Sequence, residues 1–477
     1  MHHPGTAPSE PEPSRRPRRY ALAGTGHRAR MFVDALLGEH RADGHLVAWC
    51  EPNPVRAAWH DRRLEAAGLG PLPRYVPAAL ELMLAEQAVD VLVVTSPDHT
   101  HARYVVAALD AGVDVVCEKP LTTDAAGMAR IRAAAERSSA TLTVTFNYRY
   151  SPRNTALRRV IASGEIGDVV SVHFEWLLDT VHGADYFRRW HRDKAASGGL
   201  AVHKASHHFD LVNWWLDDVP ESVTARGGLR FYGDDGAGRP AGERPGLGRD
   251  AAPDDPFGID LAADDTLRAL YLDAEGADGY VRDRDVFAPG VTIEDTIGAL
   301  VGYRRGATLT YSLTAHSPWE GYRVAVNGTR GRAELDVVER AHVQSGHAAE
   351  DLGPDGKRRP AVDPSAVHDP GASDVRPYGA RLVVQRHWEP AREVVIEEGE
   401  GSHGGGDRLL LADVFRGPGE DPLGRAAGYV DGLRSVAVGV AVNRSLETGQ
   451  VVRTGDLGVS LERPETADAA PRSAVRS

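Results

Sequence analysis

Three groups of residues in this chain have types and spacings suited to chemistry. Gly24-Thr25-Gly26-His27-Arg28-Ala29 fits G-x-G-x-x-G/A. The first glycine permits a tight turn, the second lets the backbone approach a pyrophosphate, and the small Ala29 allows close helix packing. Glu51 ends the next apolar run, where an acid hydrogen-bonds the adenosine ribose and repels the additional phosphate of NADP. NAD is therefore the expected cofactor, although Arg56 could neutralise a 2′-phosphate and leaves NADP open. Glu118-Lys119-Pro120 ends a further apolar run. A partly desolvated lysine beside a cationic nicotinamide has a lowered pKa and can exchange a proton with a substrate hydroxyl. Each group also has an ordinary reading: a chance glycine turn, a solvated acid beside Pro52, a surface lysine. Their shared position at the ends of apolar runs favours the chemical one.

Those positions depend on the elements that carry them. Tyr20–Ala23, Leu46–Cys50, Val89–Val94, Val113–Cys117 and Thr141–Phe146 read as short buried strands. Helices are expected at Ala29–Leu37, Arg56–Ala67, His101–Ala111 and Thr122–Arg137. The alternation predicts an α/β fold with a doubly wound parallel sheet, a Rossmann domain over residues 18–150. Ligands of such sheets sit at the carboxyl ends of the strands. After a helix over Asn154–Ser163, longer alternating strands follow at Val169–Leu177, Asp295–Tyr303, Ala307–Ala315 and Arg323–Asn327. They predict an α+β domain over 151–465 with an open, largely antiparallel sheet, closed by a helix over Arg425–Leu446. Loop insertions are expected near 233–256 and 352–377, and disordered tails at 1–17 and 466–477.

The chain has 477 residues, a length that implies two domains, and a net charge of −13. That charge argues against a partner such as nucleic acid, which demands a basic face. The run Arg15, Arg16, Arg18, Arg19 resembles an export signal, but the apolar stretch after it stops at Gly24, short of the roughly 7–15 residues required. No window reaches the ~18 apolar residues of a membrane span. Cys50 and Cys117 read as two reduced thiols. The expected location is cytoplasmic, with no membrane partner.

The glycine-rich start, Ser96-Pro97-Asp98-His99-Thr100-His101, Glu118-Lys119-Pro120 and Tyr148-Arg149-Tyr150-Ser151-Pro152 together resemble the Gfo/Idh/MocA family over roughly Arg19 to Leu335. The resemblance implies that Lys119 is the catalytic lysine and that Ser96, Pro97, Asp98 and His101 border the nicotinamide. It also implies that Arg149, with Tyr150, lies near the substrate. Family members carry a Gly-Gly segment followed by Asp and, four residues on, His. In this chain the segment starts at Gly198-Gly199, His207 matches the proton-accepting histidine, and His203 stands at the aspartate position. Residues four apart share a helix face, so both imidazoles are expected at one cavity. A zinc reading of His-x-x-x-His is disfavoured by Lys204, which stands where zinc proteases have Glu; no metal is expected.

Asp185, Tyr186, Arg188, Arg189, Trp190, His191 and Lys194 could wall a pocket for a polyhydroxylated substrate, Trp190 and His191 foremost. Glu320, Tyr322 and the loop His403–Asp407 are further candidates, whereas Trp214 and Trp215 read as packing. The resemblance implies hydride transfer between a secondary alcohol of a sugar or cyclitol and NAD. Two alternatives are a redox-neutral glycoside-cleaving enzyme with bound NAD and a non-catalytic NAD-sensing or partner-binding protein. A homodimer or homotetramer is expected, since an open sheet exposes an apolar face unless paired.

Overall fold

The computed structural model describes residues 16–343, 375–397 and 405–464. The expected tails and the 352–377 insertion fall almost entirely outside these residues. Strands β1 (Arg18–Ala23), β2 (Gly44–Cys50), β3 (Arg74–Tyr75), β4 (Val91–Val94), β5 (Asp114–Cys117) and β6 (Leu142–Val144) form a parallel sheet in the order β6-β5-β4-β1-β2-β3. Ala23 pairs with Val94, Val94 with Cys117 and Cys117 with Val144, so the carboxyl ends lie level. Helices α1 (Ala29–Leu37), α2 (Pro54–Ala66), α3 (Leu80–Glu86), α4 (His101–Asp110) and α5 (Ala125–Arg137) cover the sheet.

Local chemistry explains where the helix ends depart from the pattern. The α2 helix begins before Arg56 because Asn53 Oδ1 accepts from Val55 N at 2.9 Å and Pro54 takes the first helical position. The α5 helix begins after Thr122 because Asp124 caps it, accepting from Gly127 N at 2.6 Å. At Gly24, φ is +92°, and a Cβ would stand 2.7 Å from the Ser96 backbone. Only glycine lets the β1 and β4 loops cross this closely.

Helix α6 (Pro152–Ala162) leads to a second sheet of β7 (Val169–Asp179), β8 (Pro220–Gly228), β9 (Thr296–Tyr303), β10 (Thr308–Ser317), β11 (Glu320–Gly328), β12 (Gly331–Arg340), β13 (Gly379–Arg386) and β14 (Arg392–Val394). The following β15 (Ala427–Gly428) returns to the first sheet, antiparallel to β6, and β16 (Val452–Arg453) completes the second. Its order is β14-β13-β12-β11-β7-β10-β9-β8-β16, antiparallel throughout except for β7 beside β10. One face packs on α7 (His182–Arg188), α9 (Leu200–His203) and α10 (Ala205–Leu216), the last buried along its whole length, with the short α8 (Lys194–Ser197) preceding α9. A Cβ on Gly183 would lie 1.8 Å from Ala315 O, so α7 is pressed onto β10.

The final helix is Tyr429–Thr448, later than the pattern suggests because Ala427 and Gly428 are used as strand. Its Leu433, Val436 and Ala437 join the core of the first domain and its Val438, Ala441 and Val442 that of the second. Trp214 and Trp215 are buried packing residues whose indole N–H groups donate to Leu423 O and Asn154 O. Between β8 and β9 an insert carries short helical turns at Asp265–Leu267, Arg268–Leu272 and Glu275–Asp278. Its Leu261, Leu267, Leu270 and Tyr271 make a small core against Trp59 of α2. The insert thus reaches across to the first domain.

Candidate active site

A cavity of about 840 Å³ opens at the carboxyl edge of the parallel sheet, walled by both domains and by the insert. At one end lies the glycine loop. A Cβ on Gly26 would find only Tyr271 Oη within 4 Å, at 3.7 Å, so the loop keeps a bare backbone face toward the cavity. Glu51 is buried beneath it: Oε2 accepts from Thr25 N at 2.8 Å and Thr25 Oγ1 at 3.0 Å, and Oε1 from Asn53 N at 2.8 Å. These bonds hold a fixed negative charge where the ribose is expected. Tyr271 Oη accepts from His27 N at 3.1 Å, and Asn53 Nδ2 donates to Ala274 O at 3.0 Å.

Toward the other end, Arg28 Nε donates to Glu118 Oε1 at 2.6 Å, joining the glycine loop to the end of β5. Lys119 follows, and burial lowers its pKa although Asp98 and Glu118 pull the other way. Its Nζ lies 3.3 Å from His203 O. His203 Nδ1 meets Asp98 Oδ2 at 2.5 Å. Burial pushes the carboxyl of Asp98 well up and the imidazole of His203 well down, so both shifts favour the uncharged pair. His101 sits between two loop carbonyls, Pro120 O and Ser96 O, each at 2.8 Å. Burial keeps this imidazole toward its neutral form, so one ring proton serves one of the two carbonyls.

The remaining walls come mostly from the second domain. Burial lowers the His191 pKa well below the usual value; its ring stacks on Trp190 at 3.7 Å and stands edge-on to His203 at 4.2 Å. His207 lies flat on Tyr148, with centroids 4.2 Å apart. Lys204 Nζ contacts Tyr148 Oη at 3.3 Å and lies over the Trp176 ring. Arg189, just past α7, pairs with Asp185 of that helix at 2.5 Å. Tyr186 Oη lies 3.0 Å from His182 Nε2, while His182 Nδ1 lies 2.5 Å from Glu320 Oε1. Arg340 backs Glu320 at 3.0 Å and also pairs with Asp179.

Residues 18–146 match the profile described as "Oxidoreductase family, NAD-binding Rossmann fold", and residues 158–454 match "Oxidoreductase family, C-terminal alpha/beta domain". The chain belongs to the Gfo/Idh/MocA oxidoreductase family. YteT of Bacillus subtilis (strain 168) is 33% identical over 429 residues, covering 87% of this chain and 92% of that protein. An inositol 2-dehydrogenase of Rhizobium meliloti (strain 1021) is 30% identical over 207 residues, 43% of this chain and 57% of that protein. Among solved structures, an aldose-aldose oxidoreductase from Caulobacter crescentus shares the fold at a TM-score of 0.58 and 17% identity, covering 92% of this chain and 100% of that one. A levoglucosan dehydrogenase with NADH and levoglucosan gives a TM-score of 0.58 at 16% identity, with coverage of 92% and 100%.

As in other Gfo/Idh/MocA oxidoreductases the first domain is the NAD-binding one. Of the residues expected at the site, Gly24, Gly26, His27, Arg28, Glu51, Arg56, Ser96, Pro97, Asp98, His101, Glu118, Lys119, Trp190, His191, His203 and His207 all border the cavity. Thr25 does not; it serves the site by holding Glu51. Two expectations are corrected. Arg149 turns into the interior, where Asp210 at 2.5 Å and Asp431 at 3.4 Å neutralise it. Tyr150 likewise points away and donates to Asp413 at 2.7 Å. The backbone at Lys204 stays in the helical region (φ −88°, ψ −48°), and His203 and His207 both border the one cavity as expected, His203 against Asp98 and His207 against Tyr148.

Tyr186 borders the cavity, whereas Glu320 stands behind it as the partner of His182, and Tyr322 is core, bonded to Asn154 at 2.8 Å. His403 lies outside the described residues; Asp407 of the same loop accepts from Asn147, a cavity residue, at 2.7 Å. Sequence reasoning missed His182, Tyr271, Asp278 and Tyr280, all of which border the cavity. For His182 the four-residue spacing to Tyr186 was a usable signal. The three insert residues carried none, because their partners are more than 200 positions away.

Among the described residues no helix is long and apolar enough to cross a membrane.

Proposed function

We propose that the protein oxidises a secondary alcohol of a sugar, sugar derivative or cyclitol, or reduces the matching ketone. The observation that carries this is one cavity joining a half-buried lysine, Lys119, to an imidazole–carboxyl pair, His203 with Asp98, at the rim of an NAD-binding sheet. Bound NAD supplies the hydride acceptor at its nicotinamide ring. The bare face of the glycine loop and the carboxylate of Glu51 would hold the dinucleotide. Lys119 orients the hydroxyl, its lowered pKa bringing it within reach of proton exchange. His203 takes the hydroxyl proton at its second nitrogen, while Asp98 fixes the ring through Nδ1 and is the acid able to ionise beside the cation so formed. This moves the acceptor from His207, whose stacking on Tyr148 makes it a wall for the ring of the substrate. Trp190 and His191 supply a second wall suited to a carbohydrate face. The inositol 2-dehydrogenase activity of a relative that is 30% identical over 207 residues supports this substrate class.

Screening the purified protein with NAD against inositols, aldoses and anhydrosugars tests the reading. Substrate-dependent NADH formation, abolished by Lys119→Met, is expected. No turnover with any polyol or sugar, or an active K119M, refutes it.

One observation favours the redox-neutral alternative. Tyr186, His182 and Glu320 form a second hydrogen-bonded series, and the first two face the same cavity. Simple dehydrogenation uses one proton acceptor. Cleaving a glycoside after transient oxidation also requires removing a proton from the adjacent carbon and protonating the departing oxygen, before water adds. That reading predicts glycoside cleavage without net NADH, lost in Tyr186→Phe while plain alcohol oxidation survives.

A further inference from the structure

Beside Glu51, a cation that could accept a 2′-phosphate is Arg56, which borders the cavity and which the insert of the second domain has already engaged. Arg56 Nη1 lies 2.6 Å from Asp278 Oδ2 and 3.5 Å from Glu51 Oε1. Its Nε donates to Leu270 O at 3.2 Å, and the Tyr280 ring lies 5.7 Å from its Cζ. Glu51, Arg56, Asp278 and Tyr280 all border the cavity. The neighbouring tie from Asn53 Nδ2 to Ala274 O keeps this stretch of insert at the start of α2. Asp278 is held as a carboxylate: burial alone would raise its pKa, but hydrogen bonds from Asn53 and Arg56 bring it below the ordinary value.

We propose that Asp278, from an insert more than 200 residues distant, is a cofactor-specificity determinant that makes the site select NAD over NADP. The inference rests on NAD binding by the first domain. Two carboxylates flank one arginine, so the local charge is negative. A dianionic 2′-phosphate entering here would meet Glu51 and Asp278 while its natural partner is spent. The ribose diol of NAD is uncharged and escapes this repulsion. Glu51 is the acid expected at the end of β2 in any NAD-selective sheet of this type. Without Asp278, Arg56 would be released to bind phosphate in the bidentate manner that suits a guanidinium. Specificity is set by the repulsive element as much as by the attractive one.

The test is the affinity of the purified full chain for NADH and for NADPH, read by quenching of protein fluorescence or by calorimetry without any substrate. The wild type is expected to favour NADH. Asp278→Asn, which keeps the shape and removes the charge, should raise the NADPH-to-NADH affinity ratio by about 10- to 100-fold, the worth of one charge-assisted hydrogen bond. Adding Arg56→Gln to D278N should erase that gain. Asp278→Ser serves as the second neutral variant should D278N fold poorly, judged by its thermal midpoint. A wild type that binds NADPH as well as NADH, or a ratio unmoved in the folded neutral variants, overturns the proposal while leaving NAD binding intact. If neither nucleotide binds the wild type, the cofactor reading and the proposal fall together.

Discussion

Asp98→Asn is the substitution that most directly probes the proposed chemistry. Asn has nearly the same shape and its side-chain oxygen can still accept from His203 Nδ1, so the 2.5 Å contact is kept while the group able to ionise beside the ring is lost. In the wild type the imidazole would take up a proton among Lys119, Arg189 and Lys204, all of which oppose its charging, and burial opposes it more strongly still. Asp98 is the acid in hydrogen-bonding contact with that ring. A hydrogen bond between charged groups contributes about 1–1.5 kcal/mol more than a neutral one, and that difference is lost at the step where the cation forms. At about 1.36 kcal/mol per tenfold change in rate, kcat should drop by roughly 5- to 13-fold, less than the ~10²–10⁴ of removing a whole acid–base group. The assay is NADH production under saturating substrate, with NADH binding measured separately by fluorescence. A variant with wild-type kcat refutes the dyad. Equal losses of kcat and of NADH affinity would mean that Asp98 acts in cofactor binding, and would also refute it.

Other outcomes follow from the same geometry. The kcat/KM profile should lack an acid limb at the ordinary histidine value of 6.5, because His203 is held well below it; titrating the rate across this range checks the point. Arg149→Met should lower stability by about 3–5 kcal/mol, as expected when a buried ion pair loses one partner, read by denaturant unfolding. Burial already pushes Asp210 up to about 6. In this variant its folded pKa rises further above the unfolded value, so its contribution is retained at low pH and lost as pH rises, and the deficit should widen from pH 5 to 8. His60 shifts the other way, pushed down by burial to about 4. Its contribution is present above 6.5 and lost as pH falls toward 4, up to about 3 kcal/mol, and His60→Leu should flatten that slope in acid unfolding. The outer face of the second sheet, with Val170 and Leu300 each 52% exposed, should pair with a second copy; a monomer in sedimentation at micromolar concentration would contradict this.

Much of the architecture was legible because its causes are local. A strand buried on both faces announces itself as an unbroken apolar run, and Tyr20–Ala23 and Val91–Val94 did so. The helix ends that were misplaced turn on single caps, Asn53 and Asp124, which periodicity does not weigh. Placing Lys119 and Glu51 needed only the rule that strands end at the ligand edge, so both were found from residue order.

What residue order left undecided are the pairings made across the two domains. His203 at an aspartate position looked like a lost charge, yet Asp98, 105 residues earlier, stands against it. Arg149 carried the same motif whether it faced substrate or core, and only the burial of Asp210 and Asp431 beside it settles the direction. Arg56 looked free for phosphate until Asp278 was brought to it across 222 positions. The physical reason is common to all three. Patterns of apolar residues are set by burial on a nearby face and repeat along the chain, whereas the partner of a charge is chosen by distance in space. Electrostatic energy falls with separation, not with sequence interval, so the elements were determined by the sequence in isolation and the charge of the site by the folded arrangement.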